Sequence, residues 1–541
     1  MRLGRRDISR LGRGSVSFAE EVGGALHLHE LVEVSARVGA TSSRSEKIRE
    51  IAACLRRTEP DAVETTVALL SGRLRQGRIG IGWAALQAAA PSTASAVPEL
   101  TLQEVDAALD RVAAVSGAGS GQERARLLSA LLARATRAEQ DFLMRAVLGE
   151  LRQGALEGLM IDAIAAAAEL PIDEVRRAFM VQGDLGVVAR VALSEGKAGL
   201  ERLAVELFRP IQPMRAQTAA DIADALARLG RAAFEYKLDG ARVQVHKQGC
   251  DVRVFSRSLK DVTAAVPDIV EAVCDLPAQS LILDGEAIAL RRDGKPEPFQ
   301  ITMRRFGRRL DVERMRQDIP LQCFFFDCLY VDGNPIVDRR AEERFAVLAR
   351  CLPEGLIIPR CTTDDPASAQ AFLEEALARG HEGLMAKALD APYEAGARGS
   401  AWLKIKPAVT LDLVVLAAEW GHGRRRGWLS NLHLGARDPS SGGYVMLGKT
   451  FKGMTDAMLA WQTAELQKLA TGHDSHTVYV RPALVVEIAF NDIQASPHYP
   501  GGLALRFARV KRYRPDKRPE DADTIETVRA IYERRLGSGS A

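Results

Sequence analysis

The stretch Phe234-Glu-Tyr-Lys237-Leu-Asp239-Gly240-Ala-Arg242-Val-Gln-Val245 decides how this chain is read. A lysine stands at the end of a short strand-like run. An Asp-Gly pair follows as a tight turn, and Val243 and Val245 open a second strand by alternating with polar residues. An amine becomes a nucleophile only after losing its proton, and partial burial and neighbouring cations lower its pKa. Arg242 is placed to supply such a charge and to grip a phosphate with its planar fork. A lysine beside a turn also reads as ordinary surface, so the segments downstream must decide between the two.

Those segments come in order. They are Phe255-Ser-Arg257, Leu283-Asp284-Gly285-Glu286, Phe324-Phe-Phe326-Asp327-Cys-Leu-Tyr330, His381-Glu382-Gly383-Leu-Met-Ala-Lys387, Arg398 leading into Trp402-Leu-Lys404-Ile-Lys406, and Leu505-Arg506 through Arg514-Pro-Asp516-Lys517. Singly, each has a plain structural reading: Asp-Gly is a common turn, and Phe324 and Phe325 read as core packing. Together they resemble the ordered motifs of the covalent nucleotidyltransferases, the superfamily of ATP-dependent ligases and mRNA capping enzymes. The resemblance implies that Lys237 carries AMP. It implies nucleotide contacts from Glu235, Arg242, Arg257, Glu286 and Phe326, the last stacked on adenine, and from Lys387, Arg398, Lys404 and Lys406. Glu286 and Glu382 are the implied ligands of Mg²⁺, and Arg514, Asp516 and Lys517 are implied to orient the pyrophosphate leaving group. Glu382 and Lys387 lie five apart, which puts them on opposite faces of a regular strand, so a turn or bulge is expected between them.

Working outward, residues 28–205 read as helical. Leu127 stands over Leu131 and Leu128 over Leu132, and Leu143, Val147 and Leu151 continue the spacing of an amphipathic helix. The Gly-rich stretches Leu70–Gly82 and Gly149–Gly154 resemble the loops of the helical DNA-binding domain of large DNA ligases, which implies DNA contacts from Arg152 and Gly154. Two prolines in Phe208-Arg-Pro-Ile-Gln-Pro-Met214 end the helical region. Strands follow, with a β-hairpin at Val243–Val245 and Val252–Val254, a buried strand at Cys323–Phe326, and helices at about 262–275, 340–351 and 367–379. After Lys406-Pro407 the pattern is β with one helix over Thr455–Ala470, an economical OB-type barrel. Its basic loop Arg424-Arg425-Arg426 is a further candidate DNA contact.

The expected architecture is therefore a disordered extension (1–27), an all-α DNA-binding domain (28–205), an α+β adenylation domain (206–408) and a C-terminal OB-fold β-barrel (409–541). Net charge is only +3, from 73 basic and 70 acidic residues, so any nucleic-acid surface is local. Seven cysteines without a C-x-x-C pair exclude a zinc module of the kind found in NAD-dependent ligases, and the last motif favours ATP. The basic N-terminus lacks the apolar core of a secretory signal, and no long apolar run reads as a membrane span. The expectation is a cytoplasmic, monomeric ATP-dependent DNA ligase of bacterial type acting on nicked duplex DNA, with ATP and Mg²⁺. An RNA ligase or capping enzyme is the nearest alternative, disfavoured by the long helical region. A catalytically dead DNA-binding protein is disfavoured by the intact Lys237, Glu286, Lys404 and Lys406.

Overall fold

The computed structural model describes residues 26–89, 93–151, 157–306, 311–395, 401–406 and 409–536. The extension over 1–25, the tail over 537–541 and the candidate residues Arg152, Gly154 and Arg398 lie outside the described residues. The chain divides into two compact units, the first running to Pro213 and the second beginning at Met214.

The first unit is built from helices, beginning with Leu28–Ala40 and ending with Leu185–Glu201. The leucine ladder resolves into two helices, Ser120–Ala133 and Arg137–Leu148, separated where Thr136 caps the second. The Thr136 side chain accepts from the Glu139 N–H, and the Glu139 carboxylate accepts from the Thr136 N–H at 2.7 Å. Leu128, Leu131, Leu132 and Leu143 are buried in one core with Leu31, Leu55 and Ile164. Leu26 and His27 belong to this fold rather than to the extension. Leu26 is buried in the same core, and His27 pairs with Thr101.

The second unit opens with two five-stranded sheets. One runs in the order Gln217–Thr218, Trp402–Ile405, Leu384–Ala388, Ala232–Tyr236 and Arg360–Thr363. The other runs Asp251–Ser256, Ala241–Gln248, Ser280–Ala289, Leu321–Val331 and Asn334–Pro335. The hairpin lies where alternation places it, with Val245 opposite Val254. The expected helices are Pro267–Cys274, Ala341–Cys351 and Pro366–Ala378.

Beyond residue 409 the chain forms a sheet-rich barrel of the OB type. Its long first strand, Val409–Trp420, pairs with Val485–Phe490 at one end and with Thr477–Val480 at the other. Bulges between Val415 and Ala417 and between Glu419 and Trp420 bend that strand, which is how one strand can serve two partners. The inserted helix is Asp456–Lys468. A second helix, Ile525–Leu536, departs from the one-helix expectation. Its Ile525 and Val528, one turn apart, are buried in the barrel core.

Candidate active site

Lys237 stands where the chain leaves one sheet for the other. Ala232–Tyr236 ends in the first sheet and Ala241–Gln248 begins in the second, so residues 237–240 form a crossing rather than the expected tight turn between paired strands. Gly240 suits this crossing because a Cβ there would stand 2.3 Å from the Ala287 carbonyl oxygen. The Lys237 N–H donates to the Gly383 carbonyl at 2.8 Å, and the Glu382 N–H donates back to the Lys237 carbonyl at 3.0 Å. This clasp turns the two side chains toward each other. Gly383 has φ +141°, and a Cβ on it would meet the Ile405 carbonyl oxygen at 2.2 Å. It supplies the break that the spacing of Glu382 and Lys387 calls for, and the strand starts only at Leu384.

The Glu382 Oε2 atom lies 2.6 Å from Lys237 Nζ and 2.6 Å from Lys406 Nζ, so one carboxylate joins two ammonium groups. Burial opposes the charge on Glu382, but the two lysines outweigh it and hold its carboxyl below the usual range. Burial and the nearby Lys237 charge push the Lys406 amine down. Burial, reinforced by Glu382, pushes the Asp239 carboxyl up. Glu286, on Ser280–Ala289, is pushed up to about 7 by burial. Asp239, Glu286 and Glu382 thus surround two amines, an arrangement able to take a proton from an attacking lysine and to hold charge near a phosphate.

An aromatic recess adjoins this cluster. The Phe326 and Trp402 rings meet edge to face at 5.8 Å, and Lys387 Nζ lies 4.3 Å from both centroids. Lys387 is almost wholly buried and pairs with Glu235 Oε2 at 2.6 Å. The other Glu235 oxygen takes two bonds from Arg360, at 2.8 and 2.6 Å. Arg242 also borders the two rings, but its fork is filled: Nε and Nη2 grip Asp284 at 3.0 and 2.6 Å, and Nη1 donates to the Met214 carbonyl at 2.6 Å. The free phosphate clamp expected of Arg242 is instead a buried clasp with Asp284, to which the Tyr393 hydroxyl also donates at 2.6 Å. The neighbouring Asp327 is closed in the same way by a bidentate bond from Arg344, both residues being fully buried.

Comparison with known proteins bears on this site directly. The model of the ATP dependent DNA ligase domain matches residues 213–406, that of the ATP dependent DNA ligase C terminal region matches 425–517, and that of the DNA ligase N terminus matches 87–165. A protein of Anaeromyxobacter sp. (strain Fw109-5) called a probable DNA ligase is 62% identical over 515 residues, covering 95% of this chain and 99% of its own. One of Sorangium cellulosum (strain So ce56), called the same, is 55% identical over 515 residues, covering 95% and 96%. The chain belongs to the ATP-dependent DNA ligase family. A solved structure described as Pmar-Lig_PreS3 covers 90% of this chain and 99% of its own with a TM-score of 0.56 at 18% identity, a likeness of fold.

Not every expected residue of this ligase joins the cluster. Arg257 is exposed in the turn after Asp251–Ser256, and no contact links it to Lys237. Lys404 lies in Trp402–Ile405 opposite Met385, two residues before Lys406. Arg514, Asp516 and Lys517 are gathered in the barrel around Asp412. Arg424 and Arg426 are exposed, whereas Arg425 donates to the Phe451 carbonyl. In the helical unit, Gly72 of one glycine-rich loop lies against Leu151 of the other, with 2.9 Å from its would-be Cβ to the Leu151 carbonyl oxygen. The sequence reading gave Asp239 only a turn to shape and gave Asp284 and Trp402 no role. Arg360 carries no local motif at all, and only folding brings it to Glu235. Among the described residues, no group of three or more His, Cys, Asp or Glu is arranged to hold a metal, and no helix is long and apolar enough to cross a membrane.

Proposed function

We propose that this ligase seals nicks in duplex DNA, as a monomer, with Lys237 as its nucleophile. The observation that carries the reading is the bond between the Lys237 amine and a carboxylate that is also held by Lys406. In the first step the Lys237 nitrogen attacks the α-phosphorus of ATP. The P–N bond forms as the bond to the bridging oxygen breaks, and pyrophosphate leaves with that electron pair. The amine gives up a proton, which Glu382 is placed to accept. AMP then passes to the 5′-phosphate at the nick, and the 3′-hydroxyl displaces it to form the phosphodiester bond.

The roles of the other residues follow from their places. Phe326 is assigned to stack on adenine with Trp402 edge to face behind it, and Glu235, held between Lys387 and Arg360, lines the recess. Lys404, Lys406, Arg257 and Arg398 are assigned to the phosphates, and Arg514, Asp516 and Lys517 to the leaving pyrophosphate once the barrel is brought over the nucleotide. Glu286 is suited to a divalent cation, since its half-buried side chain has no hydrogen bond or ion pair among the described residues and burial raises its carboxyl. Glu382 is the second donor, shared with two lysines. Mg²⁺ held there would supply neutralisation of phosphate charge. The Arg424–Arg426 loop and the stretches Leu70–Gly82 and Gly149–Gly154 are assigned to the DNA backbone.

The test is a duplex with one 5′-labelled nick. ATP with Mg²⁺ converts it to the sealed strand, NAD does not replace ATP, and nicked RNA is a poor substrate. Sealing of nicked RNA alone would overturn the DNA reading.

A further inference from the structure

In the barrel, Arg514 and Lys517 meet at one carboxylate, Asp412. Asp412 lies on Val409–Trp420 with its side chain only 11% exposed, yet it faces two cations. Arg514 Nη1 reaches its two oxygens at 3.2 and 3.0 Å, and Lys517 Nζ reaches Oδ2 at 2.6 Å. Arg514 turns its other edge to Asp516, with Nε at 2.9 Å and Nη2 at 2.6 Å. The Asp412 backbone is fixed as well. Its N–H donates to the Asp523 carboxylate at 2.8 Å, and its carbonyl accepts from the Asp523 N–H at 2.9 Å. A carboxylate so held sets the spacing of both cations. Without it, two like charges three residues apart in one turn repel and their side chains regain rotamer freedom.

We propose that Asp412 is a positioning residue for lysine adenylation: it keeps Arg514 and Lys517 paired as a preformed cationic claw for the pyrophosphate that leaves when Lys237 attacks ATP. This rests on the assignment of Arg514 and Lys517 to pyrophosphate made above. Preorganisation matters because charge develops on the bridging oxygen as the bond to the α-phosphorus breaks, and cations already brought together need only exchange carboxylate partners for phosphate oxygens at that moment. The role is confined to one step. Transfer of AMP to DNA and closure of the nick release no pyrophosphate, so neither needs the claw.

The test separates the steps in the full-length enzyme. Formation of labelled lysyl-AMP from α-labelled ATP is timed in a single turnover, and sealing of a chemically pre-adenylated nick is timed separately. Asp412→Asn, which keeps the shape and removes the charge, is expected to slow the first by about tenfold or more and the second by less than about twofold. Asp412→Glu, which restores the charge on a longer arm, is expected to recover part of the loss. An unchanged first step in Asp412→Asn overturns the proposal. So does a parallel loss of both steps, which would make Asp412 a support of the barrel alone. Arg514→Ala keeps the two readings apart: if it leaves lysyl-AMP formation untouched, the pyrophosphate assignment itself fails. If it slows that step while Asp412→Asn does not, only the positioning role fails.

Discussion

Replacing Lys387 with methionine probes the recess at its most buried charge. Lys387 and Glu235 are 1% and 2% exposed and meet at 2.6 Å. Burial pushes the Lys387 amine below the lysine range against the pull of Glu235. Removing one partner of a buried pair typically costs about 3–5 kcal/mol, because the other charge is left without compensation. Here Glu235 keeps two bonds from Arg360, and methionine can pack between Phe326 and Trp402 with favourable sulfur–aromatic contact. The ammonium's two ring contacts at 4.3 Å are lost. The expected loss is therefore smaller, about 2 kcal/mol. The assay is the urea midpoint at unchanged m-value. It is run on Lys387→Met, Glu235→Gln and the double variant. The cycle should show coupling of about 1–2 kcal/mol, the second change costing less once the first is made. Half-saturation of lysyl-AMP formation by ATP should rise in each single variant. Additivity within about 0.5 kcal/mol, or a midpoint equal to wild type, would refute the pairing on which the recess is built.

Gly383→Ala should abolish lysyl-AMP formation while leaving the barrel folded, because its Cβ would collide with the Ile405 carbonyl oxygen and break the clasp between Lys237 and Glu382; retained adenylation would contradict that geometry. Glu382→Gln should slow adenylation far more than it weakens ATP binding, since it removes the carboxylate that bonds both amines, and a quench-flow time course distinguishes the two effects. A pH dependence is expected in the barrel. Burial opposes the charge on Glu419, but bonds from Lys449, His433 and Asn431 hold its carboxyl at about 2, against 4.5 when unperturbed. The unfolded chain thus binds the proton more readily, so the stabilisation is present above about pH 4.5 and fades as pH falls toward 2. The midpoint difference between wild type and Glu419→Gln should shrink over that window, and a constant difference would count against the network.

Local chemistry made much of this legible and left specific gaps. Alternation at Val243, Val245, Val252 and Val254 is enough to read a hairpin, because period-two patterning is local. The strand Ser280–Ala289 carries Asp284-Gly285-Glu286 in the middle of its apolar run. Asp284 is nevertheless buried, which its bidentate bond from Arg242 makes tolerable. That partnership also explains why Arg242 is not the open phosphate clamp its motif suggests. The candidate residues were readable as an ordered set, but their roles depend on contacts between distant segments. Nothing near Arg360 announces that it would hold Glu235, and nothing near Asp412 announces Arg514 and Lys517. The helix Ile525–Leu536 was missed because Glu526, Arg529, Glu533, Arg534 and Arg535 crowd its sequence and mask the spacing of Ile525 and Val528.

The central claim is that Lys237 becomes covalently bound to AMP. Wild type and Lys237→Ala are incubated with α-labelled ATP and Mg²⁺, denatured and separated on a gel, and the labelled wild-type peptide is sequenced. The account predicts label on wild type alone, on the peptide containing Lys237, and its discharge by nicked duplex DNA. Label persisting in Lys237→Ala, or none on wild type, would contradict it.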